Sequence, residues 1–491
     1  MPKISGSTSL KRLPVRKSIS LFEAALPLIA MLACLVGSRL FFPASTDLLV
    51  AVMLIAAVVA GLIAVRHGYG WADIERSTAQ KFASVFPVIL ILLSIGMLIG
   101  TWMFSGTIPI LVYYGIQLVD PQYMILTAFL ATAVMSLTGS SFAAAGTIGV
   151  ALMGVAGAVD APLAATAGAV VSGAYFGDKL SPLSDSTNIC AIGANANLYD
   201  HIRNMVYTAL PSFTVALVVY FVAGTLAEVN VASTSLENHH LLSEIEQAYD
   251  PSWMVFLPVL VVLWGTLKRK PAALTMAASS VVALAVGIGV HGFDVNSAVL
   301  SAVSGFDVSM TGEFAAGDPL PSDMLTSLLN RGGVASMTPA LMIIIAAFLL
   351  AAGMDVSGGL DRLLRAMLAR AHSVFGLVAA TMAAGATMIA TTSHGGVTAL
   401  IVGGLFQDAY RERGLAPENL ARSLEDSVTI AEPLMPWTVS AIFMATTLGV
   451  PTVEYLPWAL FCMTGWMFSL LLAATFPRTG FGLKKLAPHV A

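Results

Sequence analysis

The sequence predicts an all-α polytopic membrane protein, and three observations support this fold class. Hydrophobic residues make up 57% of the 491 residues and charged residues only 11%, whereas a soluble domain carries about 25% charged residues. The mean hydropathy is +0.84. Many apolar segments approach the length of about 20 residues that an α-helix needs to cross a bilayer. We therefore expect roughly 10 to 13 membrane elements.

Composition and motifs also exclude several classes of function. The net charge is −4, and the chain has no basic stripe or aromatic RNA-binding motif, so we expect no nucleic-acid partner. The three cysteines, Cys34, Cys190 and Cys462, lie far apart in or beside apolar segments and predict neither a disulfide framework nor a metal site. The sequence has no Walker motif, no HExxH and no nucleophile elbow. We therefore expect no ATP-driven pump, no enzyme and no cofactor.

The apolar segments place the membrane elements in order along the chain. Segments 142–158 and 396–406 are rich in glycine and small residues, so we interpret them as halves of hairpins or as broken helices. A membrane tolerates such backbone only inside protein or beside a water-filled cavity. The other elements are predicted near residues 21–42, 47–65, 83–104, 121–137, 160–176, 205–227, 252–267, 272–291, 337–353, 374–392, 418–431, 437–450 and 455–475.

Lysine and arginine positions predict the orientation. The N-terminus carries Lys11, Arg12, Arg16 and Lys17 and should be cytoplasmic, because basic segments stay on that side of the membrane. The apolar stretch after it is long and is followed by many further spans, so it is interpreted as a retained first helix rather than a cleaved signal. By the same rule, segments 66–81, 201–204 and 268–270 should face the cytoplasm, and the acidic segments 237–250 and 292–336 should face outside.

The domain layout follows from these assignments. We expect a multi-pass protein of the cytoplasmic (inner) membrane. Its parts are a cytoplasmic N-terminal tail at 1–20, a first membrane repeat at 21–227, an extracytoplasmic loop at 228–251, a second membrane repeat at 252–477 and a C-terminal tail at 478–491.

A weak internal repeat links the two halves of the chain. In the first half, "TGSSFAAAGTIG" (138–149) is followed by "KLSPLSD" (179–185), and in the second half "TTSHGGVTALIVGG" (391–404) is followed by "DSVTIAEPLMPW" (426–437). The dipeptides Pro182–Leu183 and Pro433–Leu434 lie 251 residues apart. Interrupted apolar segments at corresponding positions of two halves point to the binding site of a transporter.

The segment "GDKLSPLSDSTN" (177–188) places two carboxylates, Asp178 and Asp185, in apolar surroundings. A carboxylate at the bilayer centre costs at least about 2.5–3.5 kcal/mol, and Lys179 could neutralise Asp178. Pro182 should interrupt the helix, which frees backbone carbonyls beside several hydroxyl side chains. Such oxygen ligands suit a small hard cation. The alternative is a polar turn at the membrane surface, with Asp185 or Ser184 capping the next helix.

The second half offers a less regular set of polar residues. Asp426 and Glu432 lie in a segment that Pro433 should break, and we expect them to take part in function. Glu425 could instead pair with Arg422 on a helix face. His394 lies in a Gly-rich stretch, where it either packs or takes part in proton or substrate binding.

The stretch "SGAYFGDKLSPLSDSTN" (172–188) resembles the first-half motif of the NhaC family of Na+/H+ antiporters almost throughout. The resemblance extends from about residue 80 to 475 through "TGSSFAAAGTIGVALMG" (138–154), "HIRNMVYTALPS" (201–212), "DAYRERGLAPENLARSLEDS" (408–427) and "TLGVPTVEYLPWALF" (447–461). It implies a secondary transporter built from two inverted repeats, with broken helices and re-entrant hairpins that form ion sites near the midplane. It also implies, by analogy, a homodimer. The family motifs cover Asp178, Ser181, Asp185, Thr187, Asn188 and Asp426.

Three positions depart from the family pattern. Family members often carry an Asp–Gln pair where this chain has His394–Gly395. A small hydroxyl residue often precedes the proline where this chain has Glu432, and the family's Pro–Trp–Asn is here 436–438, "PWT". An acid is missing at one position and present at another nearby. This exchange either preserves the charge of the site or indicates a different substrate.

These observations predict Na+/H+ antiport across the cytoplasmic membrane, with Na+, H+ and the lipid bilayer as partners. Asp178 and Asp185 should bind the transported Na+ or a proton competitively, so Asp185→Asn should abolish exchange. The supporting residues are Ser181, Thr187 and Asn188, which lend oxygens, and Asp426, Glu432 and His394, which complete or gate the site. The alternatives are a Na+- or H+-coupled exchanger of small carboxylates (malate/lactate type) or amino acids and, from another class, a channel or membrane sensor.

Overall fold

The computed structural model describes residues 19–38, 41, 46–226, 231–312, 314 and 320–486, and helices dominate it. Across these ranges, nine helices are long and apolar enough to cross a membrane, and the number rises to twelve when each of three bent helix pairs is counted as one span. β-Structure within the same ranges is limited to two isolated bridges, Phe306–Arg331 and Leu415–Lys485. The prediction of an all-α polytopic membrane protein is confirmed.

The described residues of the first half form a series of helices. They are α1 (Leu21–Ser38), α2 (Thr46–Arg66), α3 (Trp71–Phe104), α4 (Thr107–Leu118), α5 (Met124–Ser136), α6 (Ser141–Ala144), α7 (Val150–Ala158), α8 (Leu163–Leu180), α9 (Asp185–Gly193) and α10 (Leu198–Leu226). A π-helical turn, Ala145–Gly149, joins α6 to α7, so residues 141–158 form one continuous helical segment.

The described residues of the second half form a further series of helices. They are α11 (Val231–Ala248), α12 (Leu257–Leu267), α13 (Ala272–Val290), α14 (Val295–Val303), α15 (Asp323–Leu329), α16 (Thr338–Val356), α17 (Gly359–Leu368), α18 (Val374–Thr392), α19 (Gly395–Glu412), α20 (Pro417–Leu424), α21 (Val439–Leu448), α22 (Thr452–Tyr455) and α23 (Leu460–Thr479). A π-helical turn, Glu425–Thr429, and a 3₁₀ turn, Glu432–Leu434, continue α20.

Exposed apolar side chains cover the outer faces of several helices. Leu62 on α2, Phe221 on α10, Trp264 on α12 and Leu471 on α23 are all more than two-fifths exposed. A soluble monomer rarely presents such large contiguous apolar surfaces, whereas lipid chains solvate them well. These faces support the assignment to a membrane, and the buried polar residues lie on the opposite, inner faces.

Two segments that were predicted to face the cytoplasm, between the membrane elements, are helical. Most of 66–81 forms the start of α3, whose 34 residues span about 51 Å, well beyond a hydrocarbon core of about 30 Å. The segment 201–204 lies near the start of α10, after its first turn, with His201 and Asn204 buried. The predicted tail up to residue 18, the start of the 228–251 loop, part of 292–336 and residues 487–491 lie outside the described residues.

The internal repeat has an offset of 254 residues. Segment 141–158 corresponds to 395–412, which is α19, and α8 at 163–180 corresponds to the segment 417–434 formed by α20 and its two turns. The helix α8 is followed by four residues without helix, 181–184 (the first break), and then by α9. The segment 417–434 is likewise followed by 435–438 (the second break) and then by α21. The offset of 251 was therefore wrong by three residues. Pro182 corresponds to Pro436, because each lies two residues before the N-cap of the next helix, Ser184 or Thr438.

The two halves pack against each other reciprocally. The helix α9, after the first break, packs so closely on α19 that a Cβ on Gly193 would lie 2.6 Å from the Ala399 carbonyl oxygen. Its counterpart α21, after the second break, packs on segment 141–158, with Phe443 and Phe142 stacked at 4.3 Å between ring centroids. The helices after the two breaks therefore make equivalent contacts with the opposite half. Ser181 and Ser184 of the first break and Trp437 and Thr438 of the second are buried, whereas Pro182 is exposed.

Each half also contains a short turn before the helix that packs on the other half. The first turn follows α5 and has Gly139 at φ +100°, and the second follows α18 and has Ser393 at φ +59°. A left-handed conformation is costless for glycine but strained for serine. The Ser393 hydroxyl also has no hydrogen-bond partner among the described residues, so this side chain does not offset the strain.

We expect Ser393→Gly to stabilise the protein by about 1 kcal/mol, because it relieves a left-handed non-glycine residue. The reverse type of change, Gly139→Ala, should destabilise by about 1–3 kcal/mol, since its Cβ would lie 2.6 Å from the Leu183 Cβ and 2.9 Å from the Leu183 carbonyl carbon. Thermal unfolding of the two purified variants in detergent measures both effects. A lower melting temperature for Ser393→Gly would contradict the strain.

Candidate ion site

Side chains at the first break donate hydrogen bonds to backbone carbonyls around it. Pro182 cannot donate a backbone hydrogen bond and disfavours helix at the residue before it, so α8 ends at Leu180. Ser181 Oγ donates to the Leu137 carbonyl at 2.9 Å, and Thr187 Oγ1 donates to the Lys179 carbonyl at 3.1 Å. Asn188 Nδ2 donates to Ser184 O at 2.7 Å. In this conformation these three predicted cation ligands donate hydrogen bonds that brace the break.

Asp178 is buried beside the first break. Its carboxylate accepts a hydrogen bond from Ser141 Oγ at 3.1 Å, and it also faces Ser184. Ser141 is the first residue of α6 and Ser184 caps α9, so the carboxylate lies where two helices begin. Helix N-termini carry partial positive charge, which stabilises an acid that the apolar surroundings would otherwise disfavour.

Glu432 occupies the corresponding place in the second half. It lies 254 residues after Asp178, and it is buried. Its carboxylate faces the Ser440 hydroxyl and the backbone amides of Gly395 and Ser440, the first turns of α19 and α21. The Thr438 hydroxyl donates to the Glu432 carbonyl. The sequence departure at Glu432 thus places an acid at the equivalent of Asp178, and each half has one buried carboxylate beside its break.

Tyr175 lies near both of these acids, and the sequence reasoning missed it. It lies one turn before Asp178 on α8, is 2% exposed, and its phenol faces Ser440 with both Asp178 and Glu432 nearby. The signal was available, because residues three apart share one face of a helix. Ser141 was quoted only as part of the repeat, yet it is the hydroxyl that contacts Asp178.

The third acid of the site, Asp426, pairs with a lysine from the other half. Lys179 Nζ forms an ion pair with Asp426 Oδ1, and both side chains are fully buried. Thr208 Oγ1 donates to the same oxygen at 3.3 Å. Asp426 Oδ2 has no hydrogen-bond partner among the described residues. The suggestion that Lys179 neutralises its neighbour Asp178 was therefore wrong, because its ammonium contacts the π turn after α20.

Glu425 was missed as a member of this cluster. Its carboxylate accepts hydrogen bonds from Thr429 Oγ1 at 2.6 Å and Ser186 Oγ at 3.2 Å, and Thr187 Oγ1 lies 3.4 Å away. The suggested pair with Arg422 is not formed, since Arg422 Nη1 instead donates to Asn204 Oδ1 at 2.5 Å and to the Gly482 carbonyl at 2.7 Å. Glu425 thus ties the second half to α9 of the first.

Two predicted site residues lie at the edge of this arrangement. Asp185 is the first residue of α9 and is exposed, so it does not share the buried surroundings of Asp178. His394 is half-buried and caps α19, with Nδ1 accepting a hydrogen bond from the Gly396 amide at 3.1 Å. The capping bond orients the imidazole toward the start of α19, next to the second break.

No three His, Cys, Asp or Glu side chains within the described ranges converge in a ready metal cage. Single carboxylates instead lie beside hydroxyl groups and helix starts near the two breaks. Such ligands bind hard cations such as Na+ without tetrahedral nitrogen or sulfur coordination, and the two breaks supply them beside Asp178 and Glu432.

Gly395 gives a direct test of the Glu432 position. A Cβ on Gly395 would lie 2.7 Å from Glu432 Oε2, and this oxygen is the end of a flexible side chain. We expect Gly395→Ala to displace the carboxylate with little loss of stability and to raise the half-saturating cation concentration for transport by about tenfold. Ion-driven flux measures this.

The matched control is Gly404→Ala on the same helix. Nothing lies within 4 Å of the position of its added methyl, so flux should match the wild type. Unchanged cation dependence in Gly395→Ala would contradict a role for the Glu432 carboxylate in binding.

Comparison with known proteins places these features in a family. The sequence model of the Na+/H+ antiporter family matches residues 173–475, which contain both breaks and the Lys179–Asp426 pair. The chain is 42% identical over 467 residues to an uncharacterized Na+/H+ antiporter of Haemophilus influenzae, with 94% of this chain and 97% of that protein covered. It is 34% identical to the Na+/H+ antiporter NhaC of Bacillus subtilis, with coverage of 92% and 97%.

A further relative carries a different name. The chain is 28% identical to the malate-2H+/Na+-lactate antiporter of Bacillus subtilis, with 91% of this chain and 93% of that protein covered. The match of the family model and the identities above 30% over almost the whole length lead to one conclusion: this chain belongs to the Na+/H+ antiporter family.

Proposed function

We propose that the chain is a secondary active transporter that exchanges Na+ for H+ across the cytoplasmic membrane. The observation that carries this proposal is the pair of buried carboxylates, Asp178 and Glu432, at equivalent positions of two repeats beside two helix breaks. The family and the relatives named as Na+/H+ antiporters support it.

The exchange rests on competition between a cation and a proton at each buried acid. A bare carboxylate away from water is unstable, so it holds either a proton or a cation. Hydroxyls from Ser141 and Ser440 and the carbonyls of the breaks supply further oxygens. Because the two occupants exclude each other, movement of Na+ in one direction drives protons in the other.

The two repeats provide the conformational step. We propose that they are inverted relative to each other, so that rocking of one half against the other exposes the breaks to alternate sides of the membrane. We place the N-terminus in the cytoplasm from the basic residues before α1, and a homodimer by family analogy. Asp185, exposed at the start of α9, is proposed as the acid that a cation meets before it reaches Asp178.

The proposal is tested in proteoliposomes that contain the purified protein and a trapped pH-sensitive dye. An inward Na+ gradient should move protons outward, and an outward proton gradient should take up ²²Na+. The same assay with Li+, K+, malate, lactate and amino acids defines the substrate. Absence of Na+-dependent proton movement in vesicles with correctly inserted protein would overturn antiport.

A second candidate is exchange of small carboxylates coupled to Na+ or H+. Two helices, α9 and α21, begin at the breaks, and two others, α6 and α19, begin beside Asp178 and Glu432. Helix N-termini in discontinuous transporter helices point at anionic substrate groups. The similarity to a protein named malate-2H+/Na+-lactate antiporter is consistent with this candidate. Counterflow of labelled malate or lactate in the absence of Na+-driven proton movement would favour it over ion exchange.

A further inference from the structure

A buried ammonium group contacts the carboxylate that joins the two repeats. Lys179 is the penultimate residue of α8 in the first half, and Asp426 lies in the π turn of the second half. Both side chains have no exposed surface. Besides Asp426, the ammonium lies 5.8 Å from the centre of the Phe461 ring. A cation is therefore already present at Asp426 before any transported ion arrives.

The surroundings of this pair differ from those of a purely structural ion pair. Buried carboxylates normally use both oxygens in hydrogen bonds, yet Asp426 Oδ2 has no partner among the described residues. His201 lies near Lys179, is fully buried, and neither of its ring nitrogens has a hydrogen-bond partner within the described part of the chain. The pair thus lies in a polar interior with unused hydrogen-bonding groups, which leaves coordination capacity for another cation at Asp426.

Both partners lie next to irregular backbone. Lys179 is two residues before Ser181, where the first break begins. Asp426 lies in the π turn Glu425–Thr429. Such a turn shifts the hydrogen-bond register of a helix and is frequent at functional sites. Irregular backbone of this kind allows the end of α8 to move relative to the π turn without unfolding either helix. The contact can therefore open when the repeats move.

A second carboxylate is available to the ammonium when it leaves Asp426. Glu425 precedes Asp426 in the π turn. Thr187 Oγ1 lies 3.4 Å from Glu425 Oε1 and 3.1 Å from the Lys179 carbonyl oxygen, so this hydroxyl contacts both residues. An ammonium group can donate three hydrogen bonds. Transfer from Asp426 to Glu425 would keep the buried charge paired while Asp426 binds another cation.

We infer that Lys179 is a resident competitor of the transported cation at Asp426. Its ammonium neutralises Asp426 in the ion-free protein, and Na+ binding at Asp426 displaces it toward Glu425. This inference rests on the proposed function and adds a role for Lys179 that neither the family match nor the sequence pattern assigns. It makes the release of Na+ easier, because the ammonium returns as the ion leaves.

The experiment measures Na+ binding at equilibrium. Na+ is titrated against choline at constant ionic strength, and the half-saturating Na+ concentration is read from the rise in melting temperature of detergent-purified protein, which ligand binding produces by mass action. We expect Lys179→Met to bind Na+ about tenfold more tightly, because two unit charges a few ångströms apart interact strongly even at an intermediate dielectric constant. Lys179→Arg keeps the cation and should bind Na+ no more tightly than the wild type.

The matched control is Lys81→Met. Lys81 forms another lysine–aspartate pair between helices, with Asp355 at 3.1 Å, far from the breaks in sequence, and its removal should leave the Na+ dependence unchanged. Lys179→Gln serves as the second variant if Lys179→Met fails to fold, since its amide can still donate to Asp426.

The outcomes separate the two levels of the proposal. A structural role alone predicts a lower melting temperature without Na+ in Lys179→Met and an unchanged half-saturating concentration, and this result in both neutral variants would overturn the inference. If the wild type responds to Na+ and the Lys179 variants respond in the same way, the inference about Lys179 fails but Na+/H+ antiport stands. If neither the wild type nor any variant responds to Na+ in binding and flux, the proposed function fails, and the role of Lys179 with it.

Discussion

Asp178→Asn should abolish Na+-driven proton movement while insertion and folding remain normal. The amide is close in size to the carboxylate and can still accept the hydrogen bond from Ser141 Oγ, which lies 3.1 Å from the carboxylate. It cannot bind a proton at physiological pH, and it does not neutralise a cation. Because the group is buried at the start of two helices, no water replaces the missing charge. We expect a loss of at least about a hundredfold in exchange rate, or about 2.7 kcal/mol.

The measurement is dye-detected proton movement in proteoliposomes at several Na+ concentrations, with protein orientation and amount determined in the same vesicles. Asp185→Asn is the matched control, since it makes the same chemical change seven residues later. Asp185 is exposed, so we now expect a partial loss there, in place of the complete loss that the sequence alone suggested. Exchange at the wild-type rate in Asp178→Asn would remove this acid from the ion pathway.

The equivalence of Asp178 and Glu432 makes a further distinction possible in the same assay. If the two repeats contribute equally, Glu432→Gln will reduce exchange as strongly as Asp178→Asn. If only one acid carries the exchanged proton, the other variant will retain proton movement with altered Na+ dependence. Both results are readable because each carboxylate lies beside its own break and contacts different helices.

The sequence predicted the first break well because its cause is local. Pro182 lacks a backbone donor and constrains the residue before it, and Ser184 is a residue type that caps helices. The structure places the end of α8 and the start of α9 on either side of these residues. Ser181, Thr187 and Asn188 were predicted to lend oxygens to a cation. In this conformation each of them donates to a backbone carbonyl, because hydroxyls and amides can donate as well as accept.

The partner of Lys179 could not be read from the sequence. Adjacent residues on an α-helix point about 100° apart, so the ammonium of Lys179 and the carboxylate of Asp178 face different neighbours. Asp178 faces α6 and α9, whereas Lys179 faces the π turn, which lies 247 residues away in the chain. Only the packing of the two repeats brings Lys179 and Asp426 together.

The register of the repeat illustrates a related limit. Pro182–Leu183 and Pro433–Leu434 are identical dipeptides, and matching them gave an offset of 251 residues. The structure instead aligns Pro182 with Pro436, because both precede the cap of the following helix by two residues. Under the correct offset Glu432 falls on Asp178. The departure from the family pattern at Glu432 therefore gives the second half a buried acid at the position equivalent to Asp178.

Removing Asp426 alone should have the largest effect on stability. Asp426→Leu leaves the fully buried ammonium of Lys179 without its ion-pair partner, and breaking a buried pair in this way costs about 3–5 kcal/mol. We expect a much lower melting temperature in detergent and reduced yield from membranes. Thermal unfolding and quantitative expression measure this loss.

The double variant Lys179→Met/Asp426→Leu separates stability from transport. Replacing both partners by apolar side chains of similar volume is often neutral or stabilising, so the melting temperature should recover most of the loss. Exchange should remain absent, because the carboxylate at which Na+ and Lys179 compete is gone. A double variant that regains both stability and Na+-driven proton movement would show that the pair only holds the repeats together, and it would place the ion pathway at Asp178 and Glu432 alone.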